Sequence, residues 1–149
     1  MEDFVFVKGN DFVKARESIR KNSGKEIIFA SDDDELNRKI LEKEKIDVLL
    51  INQSGRRDAM KQRNSGFNQV LARIAGKNNV EIGINLDEII NSGKAKKSDI
   101  LARVRQNVKL CSKNKLKMKF ISFENKRDSY DLKSLGLVLG MSTRMTREL

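Results

Sequence analysis

The chain has 149 residues, and its 31 Lys or Arg against 21 Asp or Glu give a net charge of +10. It holds no His, which excludes Ser-His-Asp and Cys-His catalysis and His-ligated metal sites, and one Cys, which excludes an intrachain disulfide and a thiolate zinc site. The length suits one domain over residues 1–149 that needs no metal to hold its core, and with no membrane-length apolar run a cytoplasmic location is expected.

Phe4-Val5-Phe6-Val7 reads as a strand, followed by a Gly9-Asn10 turn and a helix carrying Phe12, Val13, Ala15 and Ile19. Ile27–Ala30 is a second strand. Ser31 is expected to cap the next helix, with Asp34 as its capping-box partner and Leu36, Ile40 and Leu41 as its buried stripe. Val48–Ile51 is apolar on both faces, as a strand covered on each side would be. A polar, flexible loop is expected from Asn52 to about Asn64. Phe67, Val70, Leu71, Ile74 and Ala75 then share one helical face. Val80–Ile84 is the fourth strand and Leu86–Ile90 a helical turn. Ser98 is expected to cap a helix with Leu101, Val104, Val108 and Cys111 buried, before a fifth strand at Met118–Phe123. Leu132–Leu139 is a last amphipathic helix, and Thr143–Leu149 shows no pattern. About five βα units predict a parallel sheet, either doubly wound or part of a (β/α) barrel; periodicity does not choose between them.

The charge is lopsided. Residues 1–50 carry net −2 and residues 51–149 net +12, with ten Lys or Arg against the single acid Asp99 in residues 94–119. A polyanion such as RNA is the natural partner. The loop brings Arg56, Arg57, Lys61, Arg63 and Asn64 to the C-terminal edge of a strand, where α/β folds bind ligands. Arg73 and Lys77 form an i, i+4 pair on the following helix, and Arg105, Lys109 and Lys113 a longer stripe on the next. Like charges at that spacing repel mildly, and a phosphate backbone relieves them. Only 5 % of residues are aromatic, so shape and backbone recognition of folded RNA fits better than base stacking. Asp32–Asp34 resemble a carboxylate metal cluster but also suit a helix N-terminus. No Gly-rich phosphate loop occurs, and Cys111 reads as core.

Residues 64–75, Asn-Ser-Gly-Phe-Asn-Gln-Val-Leu-Ala-Arg-Ile-Ala, run on into Asn78-Asn79-Val80-Glu81-Ile82. This stretch resembles the ribonuclease P protein component 3 family, the thirty-kilodalton subunit of archaea and eukaryotes, whose pattern is roughly G[FL]NxVLA[KR]xAxxNNVxI. Asn37-Arg38, Asp47–Leu50, Arg105-Gln106-Asn107 with Lys113, Tyr130-Asp131-Leu132 and Leu139-Gly140-Met141 extend the resemblance across residues 25–141. It implies a (β/α) barrel-like, PHP-related fold, here an incomplete barrel lacking the family's usual N-terminal strands and leaving edge strands for a partner, a helix or a second copy to cover. It further implies a non-catalytic protein subunit of the ribonucleoprotein that removes the 5′ leader from precursor tRNA, with the chemistry and its Mg²⁺ belonging to the RNA. Implied partners are the ribonuclease P RNA, precursor tRNA, protein component 2 and other protein subunits. Implied contacts include Arg38, Arg57, Asn64, Arg73, Lys113 and Arg127. The sequence departs from the pattern at Asn64, where many members carry His, at Ser122-Phe123-Glu124 and at Leu132-Lys133-Ser134-Leu135. A small metal-dependent phosphoesterase using Asp32–Asp34 and a general basic RNA-binding adaptor are the alternatives.

Overall fold

Strand and helix alternate along the chain because short β-branched and aromatic runs are separated by capped, amphipathic segments. The computed structural model describes residues 4–149, so residues 1–3 of the expected unit lie outside the described residues. The strands are β1 (Phe4–Lys8), β2 (Glu26–Ala30), β3 (Val48–Ile51), β4 (Glu81–Asn85) and β5 (Met118–Ile121). The helices are α1 (Phe12–Lys21), α2 (Asp34–Lys43), α3 (Gln69–Lys77), α4 (Leu86–Asn91), α5 (Lys94–Lys113), α6 (Ser129–Val138) and α7 (Thr143–Thr146).

All strands are parallel and hydrogen-bond in the order β1-β2-β3-β4-β5. Alternation along each strand sorts its side chains onto two faces. Val7, Ile27, Phe29, Leu49, Ile51, Ile82, Ile84, Met118 and Phe120 join the buried helix residues in one core. Phe6, Ile28, Ala30, Val48, Leu50 and Ile121 form a second cluster made of strand residues only. A doubly wound sheet reverses its strand order and carries helices on both faces. Sequential order with the helix core on one face is the barrel type of winding, which settles the choice that periodicity left open.

The sheet is strongly curled. Strands stand about 4.8 Å apart, so the edges of a flat five-stranded sheet would lie about 19 Å from each other. Instead the Phe123 ring, just past β5, packs edge-on to Phe6 and Phe4 of β1, with centroids 5.0 and 6.3 Å apart. Lys119 of β5 likewise reaches across the concave face to Glu26 of β2 at 3.2 Å and Glu81 of β4 at 3.6 Å. β1 and β5 remain the edge strands. Gly83 makes the curl possible: a Cβ there would stand 3.0 Å from Val48 Cγ1, 3.2 Å from Leu50 Cδ1 and 3.3 Å from Ile121 Cγ1.

Several local expectations change. Asp33, not Ser31, caps α2, accepting from the Glu35 and Leu36 amides, while Ser31 Oγ accepts from the Asp33 amide. α5 starts at Lys94 behind Gly93, so Ser98 lies inside the helix, and its buried stripe runs through Ile100 rather than Leu101. Val70 is 49 % exposed because the buried face of α3 is centred on Leu71, Ala72 and Ala75, which leaves Val70 on its outer side. The patternless tail contains α7, capped by Ser142. β5 ends at Ile121, before Phe123.

Gly83→Val should destabilise the fold by about 1–3 kcal/mol through overpacking of the concave face. Urea denaturation followed by circular dichroism measures this, and wild-type stability would refute it.

Candidate nucleic-acid interface

The loop joining β3 to α3 is held from beneath by α5, above all by Arg103. Arg103 is buried, and its guanidinium donates to three acceptors on that loop: Asp58 Oδ1 at 3.0 Å, the Gln53 carbonyl at 3.1 Å and the Arg56 carbonyl at 2.9 Å. Asp58 in turn accepts the Asn64 amide at 2.8 Å. That amide above all, then Arg103, holds the Asp58 carboxyl below its ordinary value. Further along, the Ser65 carbonyl accepts from Gln53 Nε2 at 2.8 Å and Asn107 Nδ2 at 3.1 Å. Gln106 Nε2 donates to Ser65 Oγ at 3.2 Å. The expected flexible loop is therefore tied down at both ends and in its middle.

α4 supplies a second set of ties through two adjacent carboxylates. Glu88 accepts the Gln53 amide at 2.6 Å and the Ser54 amide at 2.9 Å, fixing the start of the β3–α3 loop. Burial pushes its carboxyl above the ordinary range, against the pull of those two amides. Asp87 faces the β5–α6 loop and accepts the amides of Phe123 at 2.7 Å and Asn125 at 2.8 Å. Desolvation raises the Asp87 carboxyl, but the amides of Phe123, Asn125 and Glu124 outweigh it and hold it below its ordinary value.

The twelve cationic and polar residues singled out in the sequence divide by environment. Arg56 is enclosed. It donates to both Asp34 oxygens at 2.8 and 2.9 Å, to the Asn52 carbonyl at 2.7 Å and to Asn64 Oδ1 at 3.3 Å. Gly66 makes room for it with φ +73, since a Cβ there would stand 2.6 Å from the Arg56 Cζ. Arg57, Lys61, Arg63 and Asn64 are exposed along the loop, with Lys61 at a tight turn in the left-handed region, φ 68. Arg73 and Lys77 are exposed on α3, and Arg105, Lys109 and Lys113 on α5. Mutual amide bonds between Gln69 and Asn114 tie those two helices together. Arg38 is exposed and pairs with Glu42 at 2.9 Å, and Arg127 is exposed on the β5–α6 loop. Arg63, Arg105 and Lys109 come together on one groove of about 560 Å³.

Asp33 serves as a helix cap and Asp34 as the partner of Arg56. Among the described residues no group of three or more His, Cys, Asp or Glu is arranged to hold a metal ion. Burial pushes the Cys111 thiol up to about 12, so it behaves as a core residue. No helix among the described residues is long and apolar enough to cross a membrane.

Sequence reasoning missed Arg103, Asp87 and Glu88, and it took Asn107 only as part of a family motif, not as a buried anchor of the loop. A signal for Arg103 and Asn107 existed. They sit three and seven residues after Ile100, inside the buried stripe of α5, and polar groups on a buried face must find partners.

The chain resembles several curated proteins. Ribonuclease P protein component 3 of Methanothermobacter thermautotrophicus is 28 % identical over 140 residues, covering 93 % of this chain and 54 % of that protein. The component 3 protein of Methanococcus maripaludis is 27 % identical over 137 residues, covering 92 % of this chain and 55 % of that protein. That of Methanosarcina acetivorans is 31 % identical over 93 residues, covering 62 % of this chain and 36 % of that protein. The chain thus spans about half the length of the first two relatives. No family model matches it. Among solved structures, a chain of an archaeal ribonuclease P with mature tRNA superposes with a TM-score of 0.81 at 23 % identity, covering 97 % of this chain and 62 % of that one.

Arg103→Met should cost about 1–3 kcal/mol, because the Arg56 carbonyl loses its partner and the Gln53 carbonyl keeps only the Arg56 amide at 3.4 Å. Arg38→Ala removes only an exposed pair and should cost about 1 kcal/mol at most. Denaturation of the two variants side by side tests the contrast. Both Asp58 and Asp87 have depressed carboxyls in the fold. Their contribution to stability is therefore complete above the unfolded value of about 3.9 and lost as pH falls below it. Hydrogen exchange at the Asn64, Phe123 and Asn125 amides should accelerate below about pH 4, before the core amides of β3 do. Simultaneous loss would contradict this.

Proposed function

We propose that this chain is a protein subunit of an archaeal-type ribonuclease P, the ribonucleoprotein that trims the 5′ leader of precursor tRNA. The observation that carries the proposal is the nearly end-to-end similarity of this chain to component 3 proteins, together with the same fold in a ribonuclease P assembly. The sequential parallel sheet, curled and covered by helices on one face, supports reading it as a PHP-related, incomplete (β/α) barrel. In this reading the chain is cytoplasmic and acts as a non-catalytic subunit. The RNA and its Mg²⁺ carry out the hydrolysis, and the chain supplies cations that offset phosphate repulsion in the folded RNA. Protein component 2 and other protein subunits are its protein partners. Arg38, Arg57, Lys61, Arg63, Asn64, Arg73, Lys77, Arg105, Lys109, Lys113 and Arg127 are the proposed contacts, and Arg56 sets the shape of the loop that presents four of them.

A phosphoesterase role for Asp32–Asp34 gains no support from the geometry, because Asp33 and Asp34 are both engaged in holding local structure.

Reconstitution with ribonuclease P RNA and the remaining protein subunits tests the proposal. Adding the chain should lower the Mg²⁺ needed for precursor-tRNA cleavage, while the chain alone should cleave nothing. Arg57→Ala with Arg73→Ala should raise that Mg²⁺ requirement again while leaving stability within roughly 0.5 kcal/mol of wild type. Cleavage by the chain alone, or no effect on the Mg²⁺ requirement, would refute the proposal.

A further inference from the structure

We infer that the groove between α5 and the α6–α7 turn seats a short run of RNA backbone phosphates, held by Arg63, Arg105 and Lys109. This deepens the proposed role in RNA binding and rests on it. The groove has a volume of about 560 Å³ and, among the described residues, its lining carries three cations and no carboxylate. Four other cavities, of about 580, 300, 310 and 270 Å³, each carry at least one acid. In the largest, Arg20 is already bound to Glu44 at 3.0 Å.

The three cations are set in place by different means. Arg105 and Lys109 stand one turn apart on the exposed face of α5, where their like charges repel unless an anion lies between them. Arg63 emerges from a backbone that is already fixed, because the next amide, Asn64, is bound to Asp58, and Asp58 to Arg103. Gln106, beside them, is anchored to Ser65 Oγ. The backbone that carries the site is therefore already in place before binding, and only the cationic side chains remain to be ordered. The floor is apolar, formed by Val108 and Leu139, and no aromatic side chain lines the groove. Base stacking needs an aromatic platform, so the ligand is the charged backbone rather than a base.

The test is a titration of the full chain with an in-vitro transcribed ribonuclease P RNA at several KCl concentrations. Each lost phosphate contact should reduce the slope of log K against log salt by about 0.7–0.9. Arg105→Gln with Lys109→Gln should therefore lower it by about 1.4–1.8, and Arg63→Gln alone by about 0.7–0.9. Lys21→Gln with Lys39→Gln, from the acidic half of the chain, removes the same charge and should leave the slope unchanged. Equal slopes for groove and control variants, with wild type still steeply salt-dependent, would overturn the groove while leaving RNA binding intact. A flat wild-type dependence would overturn both. Millimolar inorganic phosphate should leave the Gln106 side-chain amide resonance in place while the RNA moves it. Equal shifts would make the groove a free-anion site and overturn the strand assignment. Loss of protein component 2 binding with no change in slope would make it a protein contact and overturn it too.

Discussion

The buried guanidinium of Arg103 is the constraint on which the basic surface depends. A charge in that position is tolerable only because a carboxylate and two carbonyls accept its N–H hydrogen bonds. Those acceptors all lie on the β3–α3 loop, so satisfying one side chain of α5 also determines the path of the loop. Arg56 repeats the device on the opposite side, with Asp34, Asn52 and Asn64 as acceptors. Two enclosed arginines thus hold a polar, net-cationic segment against the fold despite its own charge repulsion. The exposed cations then project from a platform whose shape does not depend on them.

Residues 64–80, the stretch on which the sequence resemblance rests, are largely occupied with architecture. Gly66 makes room for Arg56, Phe67 is buried, and the Asn68 side chain caps α3 by accepting the Leu71 amide. Leu71, Ala72 and Ala75 form the buried stripe. Asn78 donates to the Leu41 carbonyl of α2, and Asn79 takes the left-handed conformation that follows a helix end. Arg73 and Lys77 are the exposed exceptions. Similarity in this stretch therefore speaks for the fold first and for RNA contact second.

Much of the architecture was legible beforehand. Apolar runs marked every strand, and β3 matched residue for residue, because runs such as Val48–Ile51 have no other stable use in a charged chain. Strand order was not legible in the periodicity, and only the family resemblance pointed to a barrel-like winding. It is set by which face the crossovers cover, a tertiary property that periodicity does not encode. The capping errors share one cause. Ser31 and Ser98 are good cap types, but the backbone first turns helical at Asp34, behind the capping carboxylate of Asp33, and at Lys94, directly after Gly93. The exposed candidates were visible as charge, whereas the groove was not, since Arg63 and Arg105 are joined only by folding. Arg103 passed as one more cation in a basic helix. Its meaning lay in the width of the stripe, which keeps Val104, Val108 and Cys111 but extends over Ile100, Arg103 and Asn107 in place of Leu101.

The pair Asp87-Glu88 on α4 gives the two active-looking loops a common hinge pin. One carboxylate grips the β3–α3 loop and its neighbour grips the β5–α6 loop, and both hang from a helix of six residues seated on β4. Motion at either loop must therefore strain the same short helix. The positions of the two loops are thus referred to one short helix, so that their spacing is fixed by the fold and not by the loops themselves.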